Sequence, residues 1–305
     1  MITSVGEILV DMIAEENNGS VSYLRKAGGA PFNVACGIKL LGGNVGFVGS
    51  VGNDTIGDFL LRFAGKQKLD YYEIRKDTNR NTTLAFVDLD ESGERSFCFY
   101  RKNTADIYLP EISDELIENS AIMHIGSLML SKKEGLEYAL RLIERVHKKG
   151  KLISFDVNFR TDIFPSKNDA ILVYKQVINK ADIVKFSSDE VEIFGEEYVD
   201  SLKDKLICIT LGSDGSEYIY NDIKGKIPTI KVKPVDTTGA GDAFYAGVLT
   251  KIDNLSKCQY TKKVLNEAFR FGNICGALNT LGKGAIDNFP SIEVVNSKIS
   301  MLEEA

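Results

Sequence analysis

The chain has 305 residues, 44% of them hydrophobic, and a formal net charge of −6 at pH 7. This is enough to bury a large core, and large α/β units of this length often form one domain. The acidic balance argues against a general nucleic-acid-binding protein, which normally carries a basic patch. No apolar run reaches the ~20 residues that a membrane-spanning helix needs. We therefore expect neither nucleic acid nor a membrane among its partners.

The cysteines and the first residues both favour a cytoplasmic protein. Five cysteines occur, an odd number, and no two have the Cys-x-x-Cys spacing, so neither a disulfide framework nor a zinc site is indicated. Cysteines without such a pattern are typically small buried side chains of proteins in a reducing compartment. Residues 1–7 lack the basic region of a signal peptide and predict a strand that opens the fold.

Two hairpin patterns lie in the first hundred residues. A strand is predicted over residues 2–10, and residues 13–26 carry the turn signal Asn-Asn-Gly-Ser at 17–20 between two short strands. A second hairpin is predicted from the alternating strands at 82–88 and 94–101. Between the hairpins, the sequence predicts helices to about residue 41 and over about 57–66, with a strand at 46–52.

From residue 114 onward, strand and helix patterns alternate, which predicts a mostly parallel sheet with helices on both faces. The two hairpins do not fit this alternation, and we expect them to form a separate small β-sheet lid. The predicted architecture is a single α/β domain, 1–305, with lid hairpins inserted at about 12–27 and 82–101. The later predicted strands are 122–126, 152–157, 183–186, 206–211 and 229–235, with helices at 133–149, 167–179 and from the 240s to about 251.

Three of these strands end in polar turns. Residues 156–160 read Asp-Val-Asn-Phe-Arg, residues 187–190 end in a carboxylate, and residues 210–215 are rich in glycine and small polar groups. Open α/β sheets bind ligands at the carboxyl ends of their parallel strands. Each turn alone is also typical of an ordinary capping turn, but the three together favour a ligand site. The sequence has no Walker A motif and no Gly-x-Gly-x-x-Gly after the first strand, which disfavours a Rossmann dehydrogenase.

The strongest chemical signal is at residues 235–244, between the last predicted strand and helix. Thr237 and Thr238 are good N-cap residues for that helix. Gly239 and Gly241 have no Cβ, so their backbone can approach a ligand closely. The first N–H groups of a helix lack internal partners and lie at the positive end of its dipole. Together these features predict an anion site.

Asp242 follows in the first turn of the predicted helix. An aspartate there commonly does no more than complement the helix dipole. Beside a bound phosphate, however, a carboxylate is unfavourable unless it takes a proton from a hydroxyl that attacks the phosphate. The second interpretation makes Asp242 a candidate general base.

The run Asp-Thr-Thr-Gly-Ala-Gly-Asp at 236–242 resembles the C-terminal signature of the ribokinase-like (PfkB) sugar kinases. Residues 28–33, Gly-Gly-Ala-Pro-Phe-Asn, are similar to that family's N-terminal sugar-binding signature. The resemblance covers nearly the whole chain. Within the family the chain most resembles the bacterial fructokinases, on Gly-Glu at 6–7, the lid segment 93–101 and Asp-x-Asn-x-Arg at 156–160.

The resemblance implies a ribokinase fold with a lid and ATP-dependent phosphorylation of a sugar hydroxyl, D-fructose giving fructose 6-phosphate and ADP. It assigns Asp242 as the catalytic base and the N–H groups of Gly239, Ala240 and Gly241 as an anion hole. It assigns Glu190 as the residue that binds Mg²⁺ through water. K⁺ binding and a homodimer are further expectations. The implied sugar contacts are Asp11, Gly29, Asn33, Arg101 and Arg160, and the residues implied along ATP are Thr210, Gly212, Gly215 and Asn273.

Two features leave alternatives open. The family's Asn-x-x-Glu metal motif begins here with Ser187, so a hydroxyl replaces the amide. Arg101 and Arg160 could also pair with a carboxylate, which keeps 2-keto-3-deoxygluconate kinase as an alternative, whereas ribokinase matches the lid segment less well. A non-catalytic sugar or nucleotide sensor on the same scaffold is the alternative from another class. Asp242 and its glycines argue against a sensor, which needs no base.

Overall fold

A computed structural model describes residues 1–17, 20–89 and 95–303, whose strands form two sheets. The strands, in chain order, are β1 (Ile2–Val5), β2 (Leu9–Asn17), β3 (Ser20–Gly28), β4 (Val45–Gly52), β5 (Tyr71–Asp77), β6 (Leu84–Leu89), β7 (Arg95–Tyr100), β8 (Ile122–Ile125), β9 (Leu152–Asp156), β10 (Ile183–Ser187), β11 (Leu206–Thr210), β12 (Ser216–Tyr220) and β13 (Ile223–Ile227). The α-helices are α1 (Ala30–Leu40), α2 (Thr55–Ala64), α3 (Asp114–Asn119), α4 (Lys133–Lys148), α5 (Lys167–Ile178), α6 (Ser188–Phe194), α7 (Glu196–Ser201), α8 (Ala240–Ile252), α9 (Lys262–Asn279) and α10 (Ile292–Glu303).

The larger sheet has nine strands in the order β13-β12-β11-β10-β9-β8-β1-β4-β5. Seven neighbouring strands of this sheet are parallel, namely β11, β10, β9, β8, β1, β4 and β5. Strands β12 and β13 add an antiparallel edge beside β11. Strands β1, β4 and β8 are buried along their whole length, because a parallel sheet is covered on both faces. The mostly parallel α/β sheet predicted from the alternating patterns is confirmed.

Two hydrophobic cores lie on opposite faces of this sheet. On β11, Leu206 and Cys208 belong to one core and Ile207 and Ile209 to the other, since successive strand side chains point to opposite faces. Helices α1, α2, α8, α9 and α10 pack in the first core, and α3 to α7 in the second. None of the helices in the described ranges is long and apolar enough to cross a membrane.

The smaller sheet is the lid, with four strands in the order β3-β2-β6-β7. Strands β2 and β3 form one antiparallel hairpin and β6 and β7 another, and the two hairpins join through parallel pairing of β2 with β6. The separate small sheet predicted from the two hairpins is therefore confirmed. The centre of the predicted turn at 17–20 and the turn at 90–94 lie outside the described residues.

The prediction of one strand over residues 2–10 is wrong. Strand β1 ends at Val5 in the central sheet, and β2 begins at Leu9 in the lid. The apolar pattern is continuous because the residues on both sides of the break are buried, so it does not reveal the change of sheet. Gly6, Glu7 and Ile8 thus connect the central sheet to the lid.

The predicted strand at 229–235 is also wrong. This segment is irregular, and it is held by Thr229 Oγ1 donating to Asn273 O and by Val235 N donating to Thr280 O. Pro228 and Pro234 bracket most of it, and proline cannot donate to a strand ladder. In the opposite sense, β5 at the sheet edge was not predicted from the sequence.

Candidate active site

A cleft of about 400 Å³ opens between the carboxyl ends of the central strands and the base of the lid. Parallel strands bring their carboxyl ends to one edge of the sheet, which is where the polar turns after β9 and β10 meet. The location of the ligand edge predicted from those turns agrees with this cleft. Of the predicted site residues, Asp11, Gly29, Asn33, Arg160, Gly239, Gly241 and Asp242 line it.

Helix α8 points its N-terminus into the cleft. Gly239 caps it with a φ of 75°, and a Cβ there would lie 2.8 Å from Ala285 Cα, so only glycine fits without strain. The N-cap prediction for Thr237 or Thr238 is wrong, because the chain must turn tightly at Gly239 instead. Ala240 N donates to Thr237 O at 3.2 Å, and the first intrahelical bond runs from Ala243 N to Gly239 O at 2.8 Å. The N–H groups of residues 241 and 242 therefore precede the helix ladder and are suited to an anion.

Asp242 lies in that first turn and is bonded to the opposite wall of the cleft. Its Oδ2 accepts a hydrogen bond of 2.8 Å from Asn33 Nδ2 on α1. Burial and repulsion from Asp156 raise the pKa of Asp242 to about 6, although the Asn33 bond and the charges of Lys185 and Arg160 lower it. A carboxylate with a pKa close to neutral is well matched to general-base catalysis.

Lys185 and Asp156 form a buried ion pair at the floor of the cleft. Lys185 Nζ donates to both Asp156 oxygens at 2.9 Å, and the two side chains are 8% and 3% exposed. Burial alone would lower the pKa of Lys185, but the charges of Asp156 and Glu190 raise it overall. A Cβ on Gly241 would lie 3.4 Å from Lys185 Nζ, so the ammonium group sits directly beside the N-terminus of α8.

The predicted sugar contacts do not all share this cleft. Arg101 lies in an adjoining cavity of about 890 Å³, and Phe99 is the only residue in the described part of the lid that lines both spaces. Arg101 Nε donates to Asp106 Oδ2 and Nη1 donates to Ser131 Oγ, each at 2.6 Å. The guanidinium of Arg101 is thus held largely by protein groups, whereas Arg160 lines the cleft itself.

Comparison with known proteins gives a consistent result. Residues 1–292 match the sequence model of the pfkB family of carbohydrate kinases. The chain belongs to the pfkB family of carbohydrate kinases. Fructokinase-1 of rice, Oryza sativa subsp. japonica, is 36% identical over 313 residues, which cover 97% of this chain and 96% of the relative.

Two solved structures share the fold of this pfkB chain over nearly all of its length. A Xylella fastidiosa fructokinase with bound ATP superposes with a TM-score of 0.91 at 29% identity, covering 99% of this chain and 98% of that one. A double mutant of the Vibrio cholerae O395 fructokinase, with fructose, ADP and potassium, gives 0.87 at 29% identity and covers 97% of each chain.

The residues that the pfkB resemblance implies along ATP lie apart from the cleft lining. Thr210 ends β11 next to Ser187 of β10, and Gly212 and Gly215 flank the short turn between β11 and β12. Asn273 on α9 is buried, and its Nδ2 donates to Ile227 O at 2.8 Å. The amide group of Asn273 thus holds the backbone that leaves β13.

Glu190 has a structural role in addition to any role towards a metal ion. Its Oε1 accepts from Phe159 N at 2.6 Å, and its Oε2 accepts from Ser187 N at 2.7 Å as half of a capping box on α6. Within the described ranges, no group of three or more His, Cys, Asp or Glu residues could hold a metal ion by itself. Mg²⁺ keeps several waters and commonly uses one or two carboxylates with substrate phosphates. Glu190 therefore fits a contact through water.

Among the described residues that line the cleft, three charged ones were not predicted as site residues: Glu7, Asp156 and Lys185. Asp156 had a signal, since it ends a predicted strand at the ligand edge. Lys185 had a weaker one, a lone lysine in an apolar strand, which requires a buried partner. Glu7 had none beyond its place in the segment that resembles the fructokinases of the pfkB family.

Proposed function

We propose that this chain is a fructokinase that transfers the γ-phosphoryl group of ATP to D-fructose, giving fructose 6-phosphate and ADP. The observation that carries the proposal is the position of Asp242. Its carboxylate lies in the first turn of α8 and is bonded to Asn33 on the sugar side. The similarity to fructokinases over most of the chain supports fructose as the acceptor.

In this mechanism the sugar hydroxyl lies against Asp242, which accepts its proton as the oxygen attacks phosphorus. The N–H groups of Gly239 and Gly241 donate to the phosphoryl oxygens, and that of Ala240 joins them by leaving Thr237 O. We propose that the ammonium group of Lys185 adds positive charge on the same side. Glu190 would hold a magnesium ion through water, together with the phosphates of ATP, and the ion would neutralise charge on those phosphates. ATP extends past Thr210, Gly212 and Gly215 towards Asn273.

A coupled assay of ADP release with purified protein tests this function. The panel holds D-fructose, 2-keto-3-deoxygluconate, D-ribose and D-glucose, each at equal concentration with MgATP. We expect the highest kcat/KM with D-fructose. The carboxylate of 2-keto-3-deoxygluconate is a weaker fit, because the Arg101 guanidinium is already paired with Asp106. No ADP release with any sugar would instead favour the sensor alternative.

Replacing Arg160 by Ala is expected to raise the KM for fructose about 10–100-fold and to raise the KM for ATP less. Hydrogen bonds to charged groups are worth about 1.5–3 kcal/mol, and Arg160 lines the cleft beside Asp242. Initial-rate kinetics with each substrate varied provide the measurement. Arg145→Ala, which removes a guanidinium paired with Asp114 on another part of the surface, is the matched control. A larger rise in the KM for ATP would move Arg160 to the phosphates.

Arg101 remains a proposed sugar contact, although its variant needs a different control. Arg101→Ala also leaves Asp106 without its partner, and Asp106 accepts hydrogen bonds from Thr83 and Thr104 as well. Thermal unfolding must therefore accompany the kinetics. A loss of stability without a change in the KM for fructose would make Arg101 structural.

We also propose a K⁺ site beside α8, formed by carbonyl groups near Asp236 and Thr238 and in the 282–285 turn. Asp236 joins these two segments by accepting from Thr238 N at 2.8 Å and from Gly284 N at 2.9 Å. The Vibrio cholerae structure with potassium supports the proposal. Activity is expected to be higher in potassium buffer than in sodium or tetramethylammonium buffer, and equal activity in all three would exclude the site.

We propose that fructose, more than ATP, orders the lid. The strands β2 and β3 carry Asp11 and adjoin Gly29, so sugar contacts lie at the base of the lid. Closure would exclude water, which competes as a phosphoryl acceptor. Hydrogen exchange of the two lid hairpins, β2–β3 and β6–β7, is expected to slow with fructose, and the β12–β13 hairpin serves as the internal control. Protection by an ATP analogue alone would assign the lid to the nucleotide.

We further propose that two copies of the chain form a homodimer through the lid. We also propose that residues 1–305 work as a single domain and that the protein is located in the cytoplasm. Val21, Tyr23 and Tyr100 are large lid side chains that are exposed, and such patches support protein contacts. All five cysteines carry free thiols, which supports a reducing compartment. Light scattering of the purified chain measures its mass and hence its oligomeric state.

A further inference from the structure

Glu7 lies in the three-residue connection between β1 of the central sheet and β2 of the lid. Its side chain is 1% exposed and lines the cleft that holds Asp242. Neither of its carboxylate oxygens has a hydrogen-bond partner among the residues that the structure describes. A buried polar group without a partner costs free energy, and an ionised one costs more. A carboxyl group in this position is therefore expected to have a partner when the protein works.

The backbone around Glu7 is shaped to leave room for it. A Cβ on Gly126, just after β8, would stand 2.5 Å from Glu7 Oε2. A Cβ on Gly29, at the start of α1, would overlap the carbonyl group of Glu7. The ends of β1 and β8 and the start of α1 thus meet at Glu7, and two of these three segments present glycine to it.

Burial, more than the surrounding charges, favours the protonated form of the Glu7 carboxyl group. Burial raises the pKa of Glu7 to about 7, and its own backbone N–H and the Arg101 charge oppose this rise. The charges of Asp106 and Asp242 raise the pKa further. A protonated carboxyl group can donate a hydrogen bond as well as accept one.

A buried polar atom of another residue in the same cleft also lacks a partner. Asn33 donates its Nδ2 hydrogen to Asp242, but Asn33 Oδ1 has no hydrogen-bond partner in the described part of the chain. Leu9, Leu128 and Phe99 supply apolar surface to the cleft. Apolar surface with a few uncommitted donors and acceptors matches a neutral polyol, since each sugar hydroxyl both donates and accepts.

We propose that Glu7 is a sugar-contact residue, whose carboxyl group hydrogen-bonds a hydroxyl of the ketose other than the one that is phosphorylated. The proposal rests on the proposed function, since it names a further contact at the same site.

The test combines variants of Glu7 with deoxygenated substrates. The values of kcat/KM are measured for D-fructose and for its 1-, 3- and 4-deoxy analogues, with the parent, Glu7→Leu and Glu7→Gln. Glu7→Leu should lower kcat/KM for D-fructose about 10–100-fold, because a lost hydrogen bond to a buried polar group costs about 1–3 kcal/mol. Glu7→Gln keeps a donor and an acceptor and should stay within about fivefold of the parent. The KM for ATP should not change in either variant.

The decisive result is a loss of discrimination against one deoxy sugar. The parent should prefer D-fructose over that analogue, and Glu7→Leu should treat the two alike, because the hydroxyl has lost its partner. Glu118→Leu, which removes an exposed carboxylate paired with Lys149, is the control and should keep the preference. Glu7→Met replaces the leucine variant if that chain fails to fold.

Two outcomes overturn different statements. Unchanged discrimination against every deoxy sugar in Glu7→Leu or Glu7→Met, with an active parent, would make Glu7 structural and end this proposal alone. A parent that phosphorylates no ketohexose would end the proposed function itself, and the proposal for Glu7 with it.

Discussion

Replacing Asp242 by Asn is expected to lower kcat by about 10²–10⁴-fold, which is the contribution of a positioned general base. The amide has nearly the size of the carboxylate and can still bond to Asn33, so the cleft should keep its shape. It cannot accept the proton of the attacking hydroxyl. The KM for ATP should therefore stay close to that of the parent.

The pH dependence of the parent provides an independent measurement of the same role. Asp242 must be ionised to accept a proton, and its pKa is raised to about 6. The rate should fall as the pH drops through about 6, and it should be level above that value until another group titrates. Steady-state rates from pH 5 to 8 would show this limb in the parent. The residual rate of Asp242→Asn should lack it.

Asp287→Asn is the matched control for the base. Asp287 lies on the surface and pairs with Lys26 of the lid, so its amide should leave kcat within a few-fold of the parent. An Asp242→Asn enzyme with kcat within tenfold of the parent would exclude Asp242 as the base. A parent rate that does not change between pH 5 and 7 would show that the reaction does not depend on a base with a pKa of about 6.

Replacing Lys185 by Met is expected to lower the free energy of unfolding by about 3–5 kcal/mol. The change leaves Asp156 buried without the cation that holds both of its oxygens. Removing one partner of a buried pair costs far more than the pair itself contributes, because the remaining charge has lost its compensation. Urea unfolding followed by circular dichroism gives the measurement.

Two further variants separate this explanation from general damage to the core. Lys185→Met combined with Asp156→Leu removes both charges and should recover most of the lost stability. Lys224→Met removes a surface cation paired with Asp200 and should cost less than about 1 kcal/mol. Equal losses in the single and double variants would show that volume, not charge, sets the cost at Lys185.

Much of the central sheet could be predicted from the sequence, because its strands are apolar runs that end at polar residues. Strands β9, β10 and β11 were located in this way, within a residue or two of their ends. The anion site at α8 was found from its glycines and Asp242. The misassigned segment 229–235 shows the limit of the method, since its extended conformation depends on Asn273 and Thr280 in later parts of the chain.

The parts of the site that were missed depend on contacts between distant positions. The burial of Lys185 is explained by its pairing with Asp156, which lies 29 residues earlier in the chain. The burial of Glu7 is explained by the space that Gly126 and Gly29 leave beside it. Arg101 was predicted beside Arg160, but its pairing with Asp106 holds it in the neighbouring cavity. The amino-acid sequence shows which residues are out of place in their segment, such as a lysine in an apolar strand. The partners of these residues depend on which strands are neighbours in the sheet.

The position of β1 has a consequence for the synthesis of the chain. Strand β1 leaves the ribosome before both of its partners, since it pairs with β4 on one side and with β8, more than a hundred residues later, on the other. Until residues 122–125 emerge, a nascent chain that has paired β1 with β4 exposes an open strand edge, whose side chains are buried in the folded protein. Such edges are templates for aggregation. The growing polypeptide should therefore depend on chaperone protection over this interval, and ribosomal pausing before β8 would lengthen it.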